Sequence, residues 1–128
     1  MARVVVVGGT EESRLLLRGL VKLFRHQILG EVATLDALQG LAINGDPTVA
    51  IIDLDLDDTP TSDLLRATLQ AHPKLRAILL TSHRTSQAET RARALGFDSL
   101  VRRPFAVHEL MEAIDRLPPA PTTTDPHP

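Results

Sequence analysis

Four stretches of the chain carry side chains or backbone that could do chemistry, and each closes an apolar run. Asp53 follows Val49-Ala50-Ile51-Ile52, and Thr81-Ser82 follow Ala77 to Leu80. Arg103 stands just past Ser99-Leu100-Val101, with Pro104-Phe105 behind it, and Gly8-Gly9 close Val4 to Val7. A carboxylate can accept a phosphoryl group, and hydroxyls and a cation can bind its oxygens. Gathered at one place, Asp53, Thr81, Ser82 and Arg103 would form a phosphoryl-handling set. The question is which elements would gather them.

The apolar runs answer it. Short, largely apolar runs bounded by turn residues read as parallel strands, with the β-branched Val4 to Val7 and Val49 to Ile52 buried. Val4 to Val7, Ile28 to Ala33, Val49 to Ile52, Ala77 to Leu80 and Ser99 to Val101 give five. Between them lie helical patterns. Thr10 reads as an N-cap, Glu11 and Glu12 suit a helix N-terminus, and Leu15, Leu16, Leu20, Leu23 and Phe24 recur at helical spacing, which predicts a helix over 11–26. Thr34 caps a helix carrying Leu35, Leu38, Leu41 and Ala42 that stops at Asn44-Gly45. Ser62 or Asp63 starts another through Leu69, residues 86–95 form a fourth that stops at Gly96, and residues 106–117 form the last, with Val107, Leu110, Met111 and Ile114 on one face. Alternation of this kind implies an α/β fold with right-handed crossovers, a five-stranded parallel sheet in the flavodoxin-like order 2-1-3-4-5. In such a sheet ligands bind at the carboxyl ends of the strands, where Gly8-Gly9, Asp53, Thr81-Ser82 and Arg103 all fall.

Bulk properties narrow the function. The 128 residues suit one domain, over 1–117, and five of the nine prolines crowd into 118–128, which reads as a disordered tail. With no cysteine there is neither a disulfide framework nor thiol chemistry. No apolar run approaches the roughly 20 residues of a membrane span, and the N-terminus does not read as a signal peptide, so a cytoplasmic location is expected. A net charge of -2, scattered basic residues and only three Phe among the aromatics give no basic face or stacking platform, so no direct nucleic-acid binding is expected. The five histidines have no metal-ligand spacing.

In this order and spacing, Asp53, Thr81-Ser82, Gly96 and Arg103-Pro104-Phe105 resemble the receiver domain of two-component response regulators, over roughly residues 3 to 117. The resemblance implies a signalling module rather than an enzyme. Asp53 would be the phosphoacceptor served by a histidine kinase, and Thr81 the switch hydroxyl. Arg103 would stand where the family has a lysine, and Pro104 would follow a cis peptide bond. The fourth helix, fifth strand and last helix would form a face for a homodimer or a partner protein, carrying Arg91, Leu95, Arg102, Glu112, Asp115 and Arg116.

Four departures separate the chain from that pattern. Gly8 and Gly9 stand where the family has the acidic pair that holds Mg²⁺, which leaves Asp53 and the carbonyl of Asp55 as weak metal candidates; weak or absent Mg²⁺ binding follows. Glu11 and Glu12 read as helix-start charges rather than replacements. Arginine at 103 is a permanent planar cation able to pair with Asp53. Leu100 replaces the usual switch aromatic. The loop after Asp53 is acidic, with Asp55, Asp57 and Asp58, and reaches Pro60 only seven residues on. The expectation is a degenerate receiver that acts by protein–protein contact, with slow phosphorylation at Asp53 or none.

Two rival readings remain. Asp55-Leu56-Asp57-Asp58-Thr59 is similar to the first motif of haloacid-dehalogenase-type phosphatases, with Asp55 as nucleophile and Asp57 as acid/base, but it lies on the third strand and lacks a late acidic pair. Gly8-Gly9-Thr10 has the look of a nucleotide-binding turn without the G-x-G-x-x-G spacing.

Overall fold

The computed structural model describes residues 2–38, 48–53, 59–81 and 86–117. Its elements run β1 (Arg3–Gly8), α1 (Glu11–Leu23), β2 (Gln27–Val32), α2 (Leu35–Leu38), β3 (Thr48–Asp53), α3 (Thr59–Ala71), β4 (Leu75–Thr81), α4 (Ser86–Leu95), β5 (Ser99–Arg102) and α5 (Val107–Arg116). The five strands form one sheet in the order β2-β1-β3-β4-β5, and each neighbouring pair is parallel. The order places β1, β3 and β4 in the middle, and their residues are almost wholly buried because helices cover both faces.

Alternation along the strands divides the core in two. Val5, Val7, Ala50, Ile52, Ala77 and Leu79 point to the side covered by α2, α3 and α4, where they meet Leu38, Leu65, Ala92 and Phe97. Val4, Val6, Val49, Ile51, Ile78 and Leu80 point to the other side and meet Leu17 and Val21 of α1 with Leu110, Met111 and Ile114 of α5.

Several boundaries differ from expectation, each for a local reason. α1 ends at Leu23, not at 26, because Arg25 takes a left-handed φ of 66°. Its N–H donates to Lys22 O, and that of His26 to Val21 O, which closes the helix as a glycine would. α3 begins at Thr59, earlier than Ser62 or Asp63, so Pro60 lies in the first turn, where a missing N–H costs nothing. Only Leu35–Leu38 of the second helix are described, and Leu41, Ala42 and Asn44-Gly45 lie outside the described residues. The burial of α1 is also not what its spacing suggests at first sight. The stripe its spacing marks as apolar is not the stripe it buries: Leu17 and Val21 face the sheet, while Leu15, Leu16, Leu23 and Phe24 are exposed.

Candidate functional site

The carboxyl ends of β1, β3 and β4 lie side by side. Gly8 is paired with Asp53 across the β1–β3 ladder, so the sheet itself sets the glycine turn against the carboxylate. Thr81 ends β4 and is buried. Its carbonyl accepts the N–H of Arg103 at 2.7 Å, which fixes the point where the chain leaves β5. The Arg103–Pro104 peptide bond is cis. From there the Arg103 side chain crosses to β3, and its Nη2 donates to Asp53 Oδ2 at 2.8 Å. Both groups are only partly open to water, with 30% of the Arg103 side chain and 23% of Asp53 exposed. Asp53, Thr81 and Arg103 therefore meet in one place.

Gly8 and Gly9 both have positive φ, 83° and 73°, a conformation that favours glycine. At Gly9 space matters as well as angle. A Cβ there would lie 2.7 Å from Asp53 Oδ2 and 3.4 Å from Ser13 Oγ. The carboxylate of Asp53 thus packs against the bare α-carbon of Gly9. Arg14, on the second turn of α1, secures the turn from outside: its Nη1 donates to Gly9 O at 2.8 Å and reaches Gly8 O at 3.4 Å. Neither Arg14 nor the packing at Gly9 is marked in the sequence. An arginine five residues past a strand-ending glycine pair is a signal only once the first helix is known to start at Glu11.

Glu11 and Glu12 are exposed in the first turn of α1, capped by Thr10, whose Oγ1 accepts the N–H of Ser13 at 3.0 Å. Asp98 serves the backbone, its Oδ2 accepting the N–H of Ala77 at 2.9 Å. Among the described residues, no three His, Cys, Asp or Glu side chains are grouped so as to hold a metal ion. Ser82, Asp55 and Asp57 lie outside the described residues.

Leu100 is partly buried and packs against the core on the α2–α4 side. The face made by α4, β5 and α5 is mostly charged. Glu89 lies 3.5 Å from both Arg93 and Arg102, and Arg116 lies 3.2 Å from Glu112. Leu95, expected on this face, is buried instead. Between the outer edge of β5 and α5 runs a groove of about 570 Å³, lined by Leu100, Arg102, Pro104, Glu109, Glu112 and Arg116 among others.

No family model matches the chain. Its architecture is that of response-regulator receiver domains, the flavodoxin-like fold expected from the sequence. A receiver-domain protein from Methanospirillum hungatei superposes with a TM-score of 0.73 at 17% identity, over 90% of this chain and 91% of its own. A protein from Burkholderia thailandensis assigned to pilus assembly, CpaE, gives 0.79 at 21% identity, over 91% and 98%. In sequence, the chain is 26% identical over 117 residues to protein CcdB of Bacillus subtilis, covering 91% of this chain and 98% of that one. Among the described residues, no helix is long and apolar enough to cross a membrane.

Proposed function

We propose that this chain is a receiver-type signalling module whose output is contact with another protein and whose Asp53 is phosphorylated slowly or not at all. The observation that carries the reading is the Asp53–Arg103 pair lying over Gly9. Transfer to a receiver aspartate needs a carboxylate oxygen free to attack and a divalent cation to neutralise the incoming phosphoryl group. Here one oxygen of Asp53 is held by a guanidinium that cannot lose its charge. Among the described residues the set does not fit Mg²⁺, which wants several oxygen ligands in near-octahedral array. Gly8 and Gly9 offer no side-chain oxygen, and the space a side chain at Gly9 would fill is taken by Asp53 itself.

The pair engages the site's cation with one oxygen of its carboxylate, a state set by sequence rather than by a kinase. Partners then read a fixed surface. The charged α4–β5–α5 face and its groove suit docking of a signalling protein, a histidine kinase or another component of a phosphorelay. The test is incubation with acetyl phosphate or beryllofluoride, with and without Mg²⁺, followed by intact-mass spectrometry and amide NMR. No mass gain and no Mg²⁺-dependent shift around Asp53 are expected. Fast Mg²⁺-dependent modification that disappears in Asp53→Asn would overturn the reading.

A further inference from the structure

α1 carries more apolar surface than the domain uses. Its sheet-facing side needs only Leu17 and Val21, with Leu20 half-buried beside them. Leu15, Leu16 and Leu23 remain 54%, 65% and 73% exposed, and Phe24 at the helix end is 45% exposed. Single exposed leucines are ordinary, but three on one thirteen-residue helix, next to an exposed phenylalanine, make an apolar patch. The patch is patterned. Glu12, Leu16, Gly19 and Leu23 recur at intervals of four, three and four, the seam spacing of packed helices, with Leu15 and Leu20 flanking it.

We propose that this face of α1 binds a second copy of the chain, with the two α1 helices antiparallel across a two-fold axis. Three features select a second copy. Gly19 sits in the middle of the seam, and a Cβ there would meet nothing within 4 Å, so its own domain leaves the position open. In an antiparallel pair with the axis between Leu17 and Arg18, Leu16 of one copy falls opposite Gly19 of the other. A large side chain then meets a gap, twice, as a two-fold interface requires. Charge agrees: the helix starts with exposed Glu11 and Glu12 and ends with exposed Lys22 and Arg25. Antiparallel packing sets each acidic start against the partner's basic end, whereas parallel packing would set like against like. The α4–β5–α5 face, which the sequence offered to a homodimer or a partner protein, has charges paired within the chain and is left to a different protein.

The chain has no cysteine, which makes single-cysteine variants clean probes. Sedimentation equilibrium of the full chain is expected to show a concentration-dependent dimer. Leu16→Glu and Leu23→Glu are each expected to weaken it at least about thirtyfold, as loss of a buried apolar anchor does. Circular dichroism of both should be unchanged because both positions are exposed. Glu12→Lys is expected to weaken the dimer about threefold, and Lys22→Glu in the same chain to restore it. Gly19→Cys should be crosslinked between copies by a short bis-maleimide, while Glu112→Cys on α5 should not. Three outcomes would overturn the proposal. One is a wild type that is monomeric at every concentration, which would leave the face to a different protein. The others are a dimer indifferent to Leu16→Glu and Leu23→Glu, and crosslinking through Glu112→Cys but not Gly19→Cys.

Discussion

Gly9 and Asp53 share one space: the carboxylate oxygen Oδ2 lies 2.7 Å from where a Cβ at position 9 would stand. Glycine at position 9 therefore does more than omit a side-chain oxygen. It is what lets Asp53 lie back over the end of β1 and reach Arg103. Gly9→Ala tests this directly. Its φ of 73° strains any L side chain by about 1 kcal/mol, and the new methyl must also displace the carboxylate. A loss of about 2 kcal/mol in urea unfolding is expected. A fully stable Gly9→Ala protein would mean that Asp53 is free to move aside.

The Asp53–Arg103 pair should show up as coupling. It spans β3 and the exit of β5, fifty residues apart in sequence, with both partners partly exposed. Exposure limits its worth, because water and salt screen such pairs. A double-mutant cycle with Asp53→Asn and Arg103→Gln is expected to give about 1 kcal/mol of coupling at low salt and less in 1 M NaCl. Zero coupling at low salt would show that the contact contributes nothing to the fold.

The two left-handed helix closures predict stability changes of opposite sign. After α4, Gly96 has φ 108°, its N–H donates to Arg93 O, and that of Phe97 donates to Ala92 O. The same pair of bonds ends α1, but with Arg25 in the left-handed position. Gly96→Ala adds backbone strain and a Cβ 3.3 Å from Leu69 Cδ1, so it should cost about 1–2 kcal/mol. Arg25→Gly removes strain and should stabilise the monomer by up to about 1 kcal/mol, measured at concentrations too low for self-association. Thermal melts of the two variants shifting in the same direction would contradict the assignment.

How legible this protein was in its sequence follows from the same residues. The strands were legible because β1, β3 and β4 are buried on both sides, and burial on both sides writes itself as an unbroken apolar run. That Asp53, Thr81 and Arg103 share one edge was legible because parallel strands deliver their carboxyl ends there. Glycine stops were easier to see than arginine ones: Gly96 marked its helix end, while Arg25 gave no warning that α1 stops at Leu23. Periodicity found α1 but did not mark its inner face. Leu15, Leu16, Leu20 and Leu23 outnumber Leu17 and Val21, and counting apolar residues cannot tell a face turned to the sheet from one left outside. Nor could spacing reveal that Asp53 fills the place of a side chain at Gly9, since that contact depends on the direction of one carboxylate.

Building a metal site at the end of β1 is the sharpest test of how Gly8, Gly9 and Arg103 depend on one another. If the glycines were the only obstacle, Gly8→Asp with Gly9→Asp would suffice to bring Mg²⁺ to the end of β1. The geometry argues otherwise. A side chain at position 9 enters the space of Asp53 Oδ2, while Arg103, still drawn to that oxygen, holds it there. The new carboxylates would also sit beside a permanent cation, which competes with Mg²⁺ for the same oxygens. Lysine at 103 is a compact charge without the planar fork and can withdraw more readily. The double glycine variant is therefore expected to bind Mg²⁺ no better than wild type, and Arg103→Lys alone to change nothing. The triple variant should bind it measurably, and only there should acetyl phosphate add mass at Asp53. Amide NMR titration with Mg²⁺ distinguishes the cases. Binding by the double variant as tight as by the triple would show that Arg103 is not part of the obstacle.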